Sequence, residues 1–286
     1  MTAVTQPMDH PRTTGTGIPL EKRGLAQQSL SVVWRNLLHI RRMPEMLMDV
    51  TIQPVMFVLL FAFVFGGSIQ VPGVEGGYNE WLMAGIMGQT IAFASFVVAI
   101  GLTADIDKGI VDRMRSLPIH TSSVLVGRSV SSIMHSSIGI FVMSLTGLVI
   151  GWRIRGSFAE AVLAYFLLLL WGFAMIWVGI LVGSSLRSVE AVQGVMFTVI
   201  FPLTFLANTF APTENMPTVL RTIAEWNPIS ALVQAVRVLW HNGPPAPSDA
   251  AWPLQNPVLA TLIWTVLITA VMAPLSLRAF KRRTDV

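Results

Sequence analysis

Six stretches of this chain carry no charged residue: Val50–Val74, Trp81–Ala104, Ser129–Trp152, Ala161–Leu186, Ala191–Thr213 and Ala250–Leu277. Each exceeds the ~20 residues that cross a hydrocarbon core as a helix. In lipid, every backbone polar group must be satisfied internally, and a helix does this within one segment. The runs leave little of the 286 residues for a soluble domain. They predict an all-α polytopic membrane protein with six transmembrane helices, at about 47–66, 81–103, 129–151, 161–183, 191–209 and 255–277.

The charges that remain are unevenly placed. Of 19 Lys and Arg, six precede Val50, four lie in 104–128, one is Arg187, and four follow the last run (Arg278, Lys281, Arg282, Arg283). Only Arg153, Arg155, Arg221 and Arg237 fall on the opposite side. Positive charge concentrates on the cytosolic side of membrane proteins, so both termini are expected in the cytosol of a cell-membrane protein. The same bias explains a pI of about 10 without any nucleic-acid partner. Its plain consequence is attraction to anionic lipid. There is no cysteine, hence no disulfide or thiolate metal site. Residues 1–20 are rich in Thr, Pro and Gly and lack the apolar core of a signal peptide, so 1–23 are expected to be a disordered cytosolic tail. Residues 24–286 form a single membrane domain.

Between the spans, three segments have amphipathic patterns. In 24–43, Leu30, Val33, Trp34, Leu37 and Leu38 make one apolar stripe. Arg35, Asn36, His39 and Arg42 lie outside it, with Arg41 at the end, as in a helix lying on the inner leaflet. Between the second and third spans, Ile106, Ile110, Met114 and Leu117 share a helical face. Asp105, Asp107, Lys108, Asp112, Arg113 and Arg115 take the other faces, and Gly109 is within. Pro118 disfavours helical backbone at Leu117, so a helix over 105–117 is expected. A helix that short needs a surface, either the membrane or a protein docked beneath it. On the outer side, 217–226 and 228–240 are too short to span, and Asn227-Pro228 reads as an N-cap followed by Pro at the first helical position. The pair predicts a re-entrant helical hairpin or an interfacial pair before the last span. Glu80 is expected in the first outer loop. Trp81, Trp152 and Trp252 sit at outer span ends, as an aromatic belt requires. Gly147/Gly151 and Gly179/Gly183 have the spacing that lets helices approach closely, most simply within one subunit.

Catalytic chemistry finds little support. No G-x-x-x-x-G-K-[ST], G-x-G-x-x-G or H-E-x-x-H motif occurs, and no two of the five His have metal-ligand spacing. Asp105 and Asp107 resemble a metal-site fragment, but Lys108 beside them favours a solvated charged face. Ser184 and Ser185 have no matched base. His135 is the one His inside a span; without a carboxylate at that depth, a structural hydrogen bond is the plainer role. Trp171, Trp177 and Trp264 lie inside charge-free runs and suit a path for flat apolar molecules, although lipid-facing helices use the same residues. The spans also lack the buried Asp or Glu by which ion-coupled carriers bind their driving ion. An ion-coupled secondary multidrug exporter is therefore the lesser alternative, and energy is expected to enter at the charged segment 105–117.

Asp107-Lys-Gly-Ile-Val-Asp-Arg-Met-Arg-Ser-Leu-Pro-Ile119, followed by Val124-Leu-Val-Gly-Arg128, resembles the cytosolic loop of type-2 ABC exporter permeases of the daunorubicin-resistance kind. Trp226-Asn-Pro-Ile-Ser230 resembles the Asn-Pro element of the same family. The resemblance implies a permease subunit with no cofactor of its own. It would pair with a second permease, identical or homologous, and with two separate ATP-binding subunits that hold ATP and magnesium. The loop residues Asp105 to Pro118 would be the coupling helix, and the exported cargo a hydrophobic drug, antibiotic or lipid-like molecule.

Overall fold

The computed structural model describes residues 45–66, 74, 76–110 and 121–284. The expected tail and interfacial helix, with Trp34, Arg35, Arg41 and Arg42, lie outside the described residues. So do Asp112, Arg113, Arg115, Leu117 and Pro118. Every regular element among the described residues is helical. In chain order these are α1 (Glu45–Phe65), α2 (Gly77–Asp107), α3 (Thr121–Val149), α4 (Phe158–Ser185) and α5 (Val189–Phe205). A 3₁₀ turn (Thr213–Asn215) leads to α6 (Thr218–Trp226), α7 (Pro228–Trp240), α8 (Trp252–Gln255) and α9 (Pro257–Thr284).

By length and composition, α2, α3, α4 and α9 can each cross a membrane. Helix α5 has only 17 residues, ending at Phe205 rather than at 209. At 1.5 Å per residue it is about 26 Å long. It stops because its far end is held open: Asn227 Nδ2 donates to Leu203 O at 2.6 Å, and the Asn208 N–H donates to Ser230 Oγ at 3.0 Å. Helix α2 overruns its expected span at both ends. Glu80, expected in a loop, sits in its first turn and is buried.

The core is built around α2 and α4. From Trp81 to Gln89 every residue of α2 is buried, the mark of a helix surrounded on all sides. Helix α4 lies against it with backbones nearly touching. A Cβ on Gly179 would stand 2.3 Å from Ser95 O, and one on Gly183 2.6 Å from Ala99 O. The Gly179/Gly183 pair therefore packs helices within one chain, as expected. The other pair splits. Gly147 is tight against Met83 and Trp152, but Gly151 lies beyond the end of α3 with φ +99, where it turns the chain instead of packing a helix. Helix α5 is peripheral. It buries only Val192, Met196, Ile200 and Thr204, one residue per turn.

The caps follow the sequence. Ser157 and Glu160 form a reciprocal capping box on α4, Ser188 caps α5, and Asn227 Oδ1 accepts from the Ile229 N–H at 2.9 Å with Pro228 at N1. The two short helices α6 and α7 run over Thr218–Trp226 and Pro228–Trp240, meeting at Asn227.

Candidate functional site

One end of the bundle carries the charged segment. Helix α2 continues through Asp105 and Asp107, so these two close a long helix and do not open a separate short one. The chain leaves the helix at Lys108 and Gly109. The Lys108 N–H donates to Ala104 O and the Gly109 N–H to Ile106 O. Gly109 has φ +65, and nothing lies within 4 Å of where its Cβ would be. Its role is backbone conformation, neither close approach nor a weak position inside a helix.

Each Asp is held by a cation from elsewhere in the chain. Asp105 Oδ2 pairs with Arg128 Nη1 of α3 at 2.5 Å. The Arg128 guanidinium lies across α2 at Gly101, reaching Val98 O at 3.4 Å. Asp107 Oδ1 accepts from Arg283 Nη2 at 2.9 Å. The other Arg283 nitrogen, Nη1, donates to Gly183 O at 2.7 Å and to Leu186 O. Thr103 Oγ1 also donates to Gly183 O, at 2.9 Å. A tertiary partner for each carboxylate explains why α2 runs on past Thr103. Lys108 and Ile110 are exposed at the tip.

The opposite end is closed by a different polar set. Arg237 of α7 is buried, its guanidinium 3.5 Å over the Trp81 ring. It donates from Nε to Trp81 O at 3.0 Å, and from Nη2 to Asn208 O at 2.9 Å and Thr209 O at 3.2 Å. Nearby, Arg155 grips the buried Glu80 carboxylate with Nε and Nη2, at 3.0 and 2.9 Å. Trp152 Nε1 donates to Asn242 Oδ1 at 2.8 Å, and the Arg155 N–H to Trp240 O at 3.0 Å. Of these, Arg237 had a signal in the sequence. It stands four residues after Val233 and three before Trp240, on the apolar face of α7.

The remaining candidates are dispersed. His135 is half-buried on α3. Trp171 is buried in the main core with Trp264 half-buried against it, and Trp177 is buried in a second, smaller cluster. Their ring faces are used in packing; Phe173, for example, meets Trp177 edge-on at 6.1 Å. Asn227 and Pro228 start α7. The geometry brings together Asp105, Asp107, Lys108 and Gly109 with Arg128 and Arg283. Among the described residues, it is a junction held by two ion pairs, Asp105–Arg128 and Asp107–Arg283.

The chain is 28% identical over 255 residues to a daunorubicin resistance ABC transporter permease protein, DrrB1, of Streptomyces coeruleorubidus, covering 89% of this chain and 86% of the relative. It is 23% identical over 227 residues to a probable doxorubicin resistance ABC transporter permease protein, DrrC, of Mycobacterium tuberculosis, covering 77% and 76%. It is 24% identical over 216 residues to a putative transport permease, ycf38, of Cyanophora paradoxa, covering 75% and 74%. The family model for ABC-2 type transporters matches residues 27–240. With its long apolar helices and a match over most of its length, the chain is a multi-pass membrane protein of the ABC-2 type transporter family.

Proposed function

We propose that this chain is the permease subunit of an ATP-driven exporter, working with two separate ATP-binding subunits and a second permease. It hydrolyses nothing itself; ATP and magnesium belong to the partner. In this reading all six apolar helices cross the cell membrane. The end bearing Asp107 and Arg283 is cytosolic, and α6 and α7 form a re-entrant hairpin on the outer side. The segment from Asp105 to Pro118 docks on the ATPase, its charged residues setting register. The cargo is a hydrophobic drug, antibiotic or lipid-like molecule, a reading supported by relatives named for resistance to two anthracyclines.

The observation that carries the proposal is the anchored elbow at Asp105–Gly109 within a chain of this family. Two ion pairs fix the base of the segment to the bundle, as a docking element must be fixed if its displacement is to reach the spans. The test is coexpression with a separately encoded ATP-binding subunit. Wild type is expected to copurify with it and show ATPase activity stimulated by an anthracycline. Reversing two charges in Arg113→Glu/Arg115→Glu sets like charge against surfaces arranged for the opposite sign, which costs several kcal/mol, about 1.4 per tenfold in affinity. The variant should insert in the membrane but lose the ATPase. Copurification and transport near wild type would overturn the docking assignment.

A further inference from the structure

Arg283 lies in the last turn of the C-terminal helix, 176 residues away in sequence from the carboxylate it pairs with. Its planar fork offers five N–H donors in fixed directions. It spends them on three acceptors from two other helices: Asp107 at the end of α2, and the Gly183 and Leu186 carbonyls at the end of α4. Those carbonyls belong to the last turn of α4, where the helix leaves acceptors without intrahelical donors and carries partial negative charge. The Arg283 side chain is 16% exposed and Asp107 42%, so the carbonyl contacts are better shielded from solvent than the ion pair. Gly183 O is a shared node, since it also takes the Thr103 hydroxyl of α2. Deeper in the bundle, Ser276 Oγ of α9 donates to Trp177 O of α4 at 2.9 Å, a second tie between the same two helices.

We propose that Arg283 is the positioning residue that makes α2, α4 and α9 move as one body when the coupling segment is displaced. The proposal rests on the exporter reading above. Without Arg283, a push on Lys108–Pro118 would reach α2 directly and α3 through Asp105–Arg128, but would reach α4 only through the Thr103–Gly183 O hydrogen bond and packing, and α9 with no direct polar tie to Asp107. With it, the displacement is delivered within one side-chain length to the α4 terminus and to the turn at Leu186–Ser188 from which α5 starts. Lysine at this position keeps the charge but has no fork. It can hold Asp107 or the carbonyls, but not both with the same geometry.

The experiment uses the assembled transporter, permease with its ATP-binding subunit, in vesicles. Transport of an anthracycline and ATP hydrolysis are measured together, with copurification and the thermal midpoint recorded for each variant. Arg283→Ala is expected to assemble with a midpoint close to wild type, to hydrolyse ATP within about twofold of the wild-type rate, and to transport at least tenfold less per ATP. Arg283→Lys should recover part of that ratio. Asp107→Asn, which leaves the carbonyl contacts in place, should fall between. Arg282→Ala, one residue away and exposed, should match wild type. An unchanged ratio in Arg283→Ala overturns the proposal. So does a loss of transport matched by an equal loss of assembly or of thermal stability, since that would make Arg283 merely structural. Failure of the wild-type chain to recruit any ATP-binding subunit would overturn the exporter reading itself, and the role of Arg283 with it.

Discussion

Arg237 stands where the helical pattern calls for an apolar side chain, and its surroundings explain how it is kept. Its partners are an indole face and main-chain carbonyls from Trp81, Asn208 and Thr209. Replacing it with Met conserves bulk but leaves those carbonyls without a donor, at about 1–3 kcal/mol for each group left buried. Arg237→Met should therefore markedly lower the thermal midpoint in detergent, and Arg237→Lys should recover only part. Glu80 gives a second residue-scale prediction. Arg155→Ala strands a buried carboxylate. The cost is about 2 kcal/mol, below the 3–5 typical of fully buried pairs because Arg155 is 38% exposed. Glu80→Gln/Arg155→Gln should be more stable than Arg155→Ala alone, read as the thermal midpoint; equal midpoints would show that the pair contributes nothing. Such pairs were not legible beforehand. A charge next to an apolar run looks like a loop residue, and only the fold reveals that Arg155 is within reach of Glu80, 75 positions away. The cap at Asn227 was legible, because it acts on a neighbour two residues away; Ser157 and Ser188 act as locally, on Glu160 and Ala191.

The elements that could be read directly are those whose cause is local. Absence of charge marked the long helices, and Asn227-Pro228 marked where α6 gives way to α7. Helix ends were read less well, because tertiary partners decide them. Asp105 and Asp107 prolong α2 because Arg128 and Arg283 are waiting for them; α5 stops short because Asn227 and Ser230 bind its exit. The contact between α2 and α4 is the most exacting in the bundle. Gly183→Val would drive a branched side chain into the Ala99 backbone, which cannot move aside like a flexible side-chain tip. Overpacking of this kind costs about 1–3 kcal/mol, and the variant should express poorly or melt early. Gly194→Val on α5 meets no atom within 4 Å and should be neutral, so the pair separates close packing from a general intolerance of bulk in lipid. Gly109 obeys a different rule. Its positive φ costs any L residue about 1–2 kcal/mol, so Gly109→Ala and Gly109→Val should disturb the elbow alike, with transport lost before stability.

Among the described residues, two sets of long-range polar contacts lie at opposite ends of α2. Asp107, Leu186 and Arg283 meet at one end; Trp81, Asn208, Trp152 and Asn242 gather at the other. Helix α5 therefore starts near the first set, just after Leu186, and its exit at Asn208 lies beneath Arg237 in the second. A 17-residue helix with its flanking turns thus joins the two ends in spite of its length, and the six-span arrangement proposed above requires it to cross. If α5 did not cross, α6 and α7 would share a side with Asp107, and the basic terminus of α9 would face outward against the positive-inside bias. The absence of cysteine makes the matter testable with one thiol at a time. Thr218→Cys, exposed on α6, should react with an impermeant maleimide in intact cells. Val286→Cys should react only after the membrane is permeabilised. Labelling of both sites in intact cells, or protection of both until permeabilisation, would break the six-span arrangement. The reversed pattern at both sites would turn the molecule over, putting the charged elbow on the face where no ATP-binding subunit can reach it.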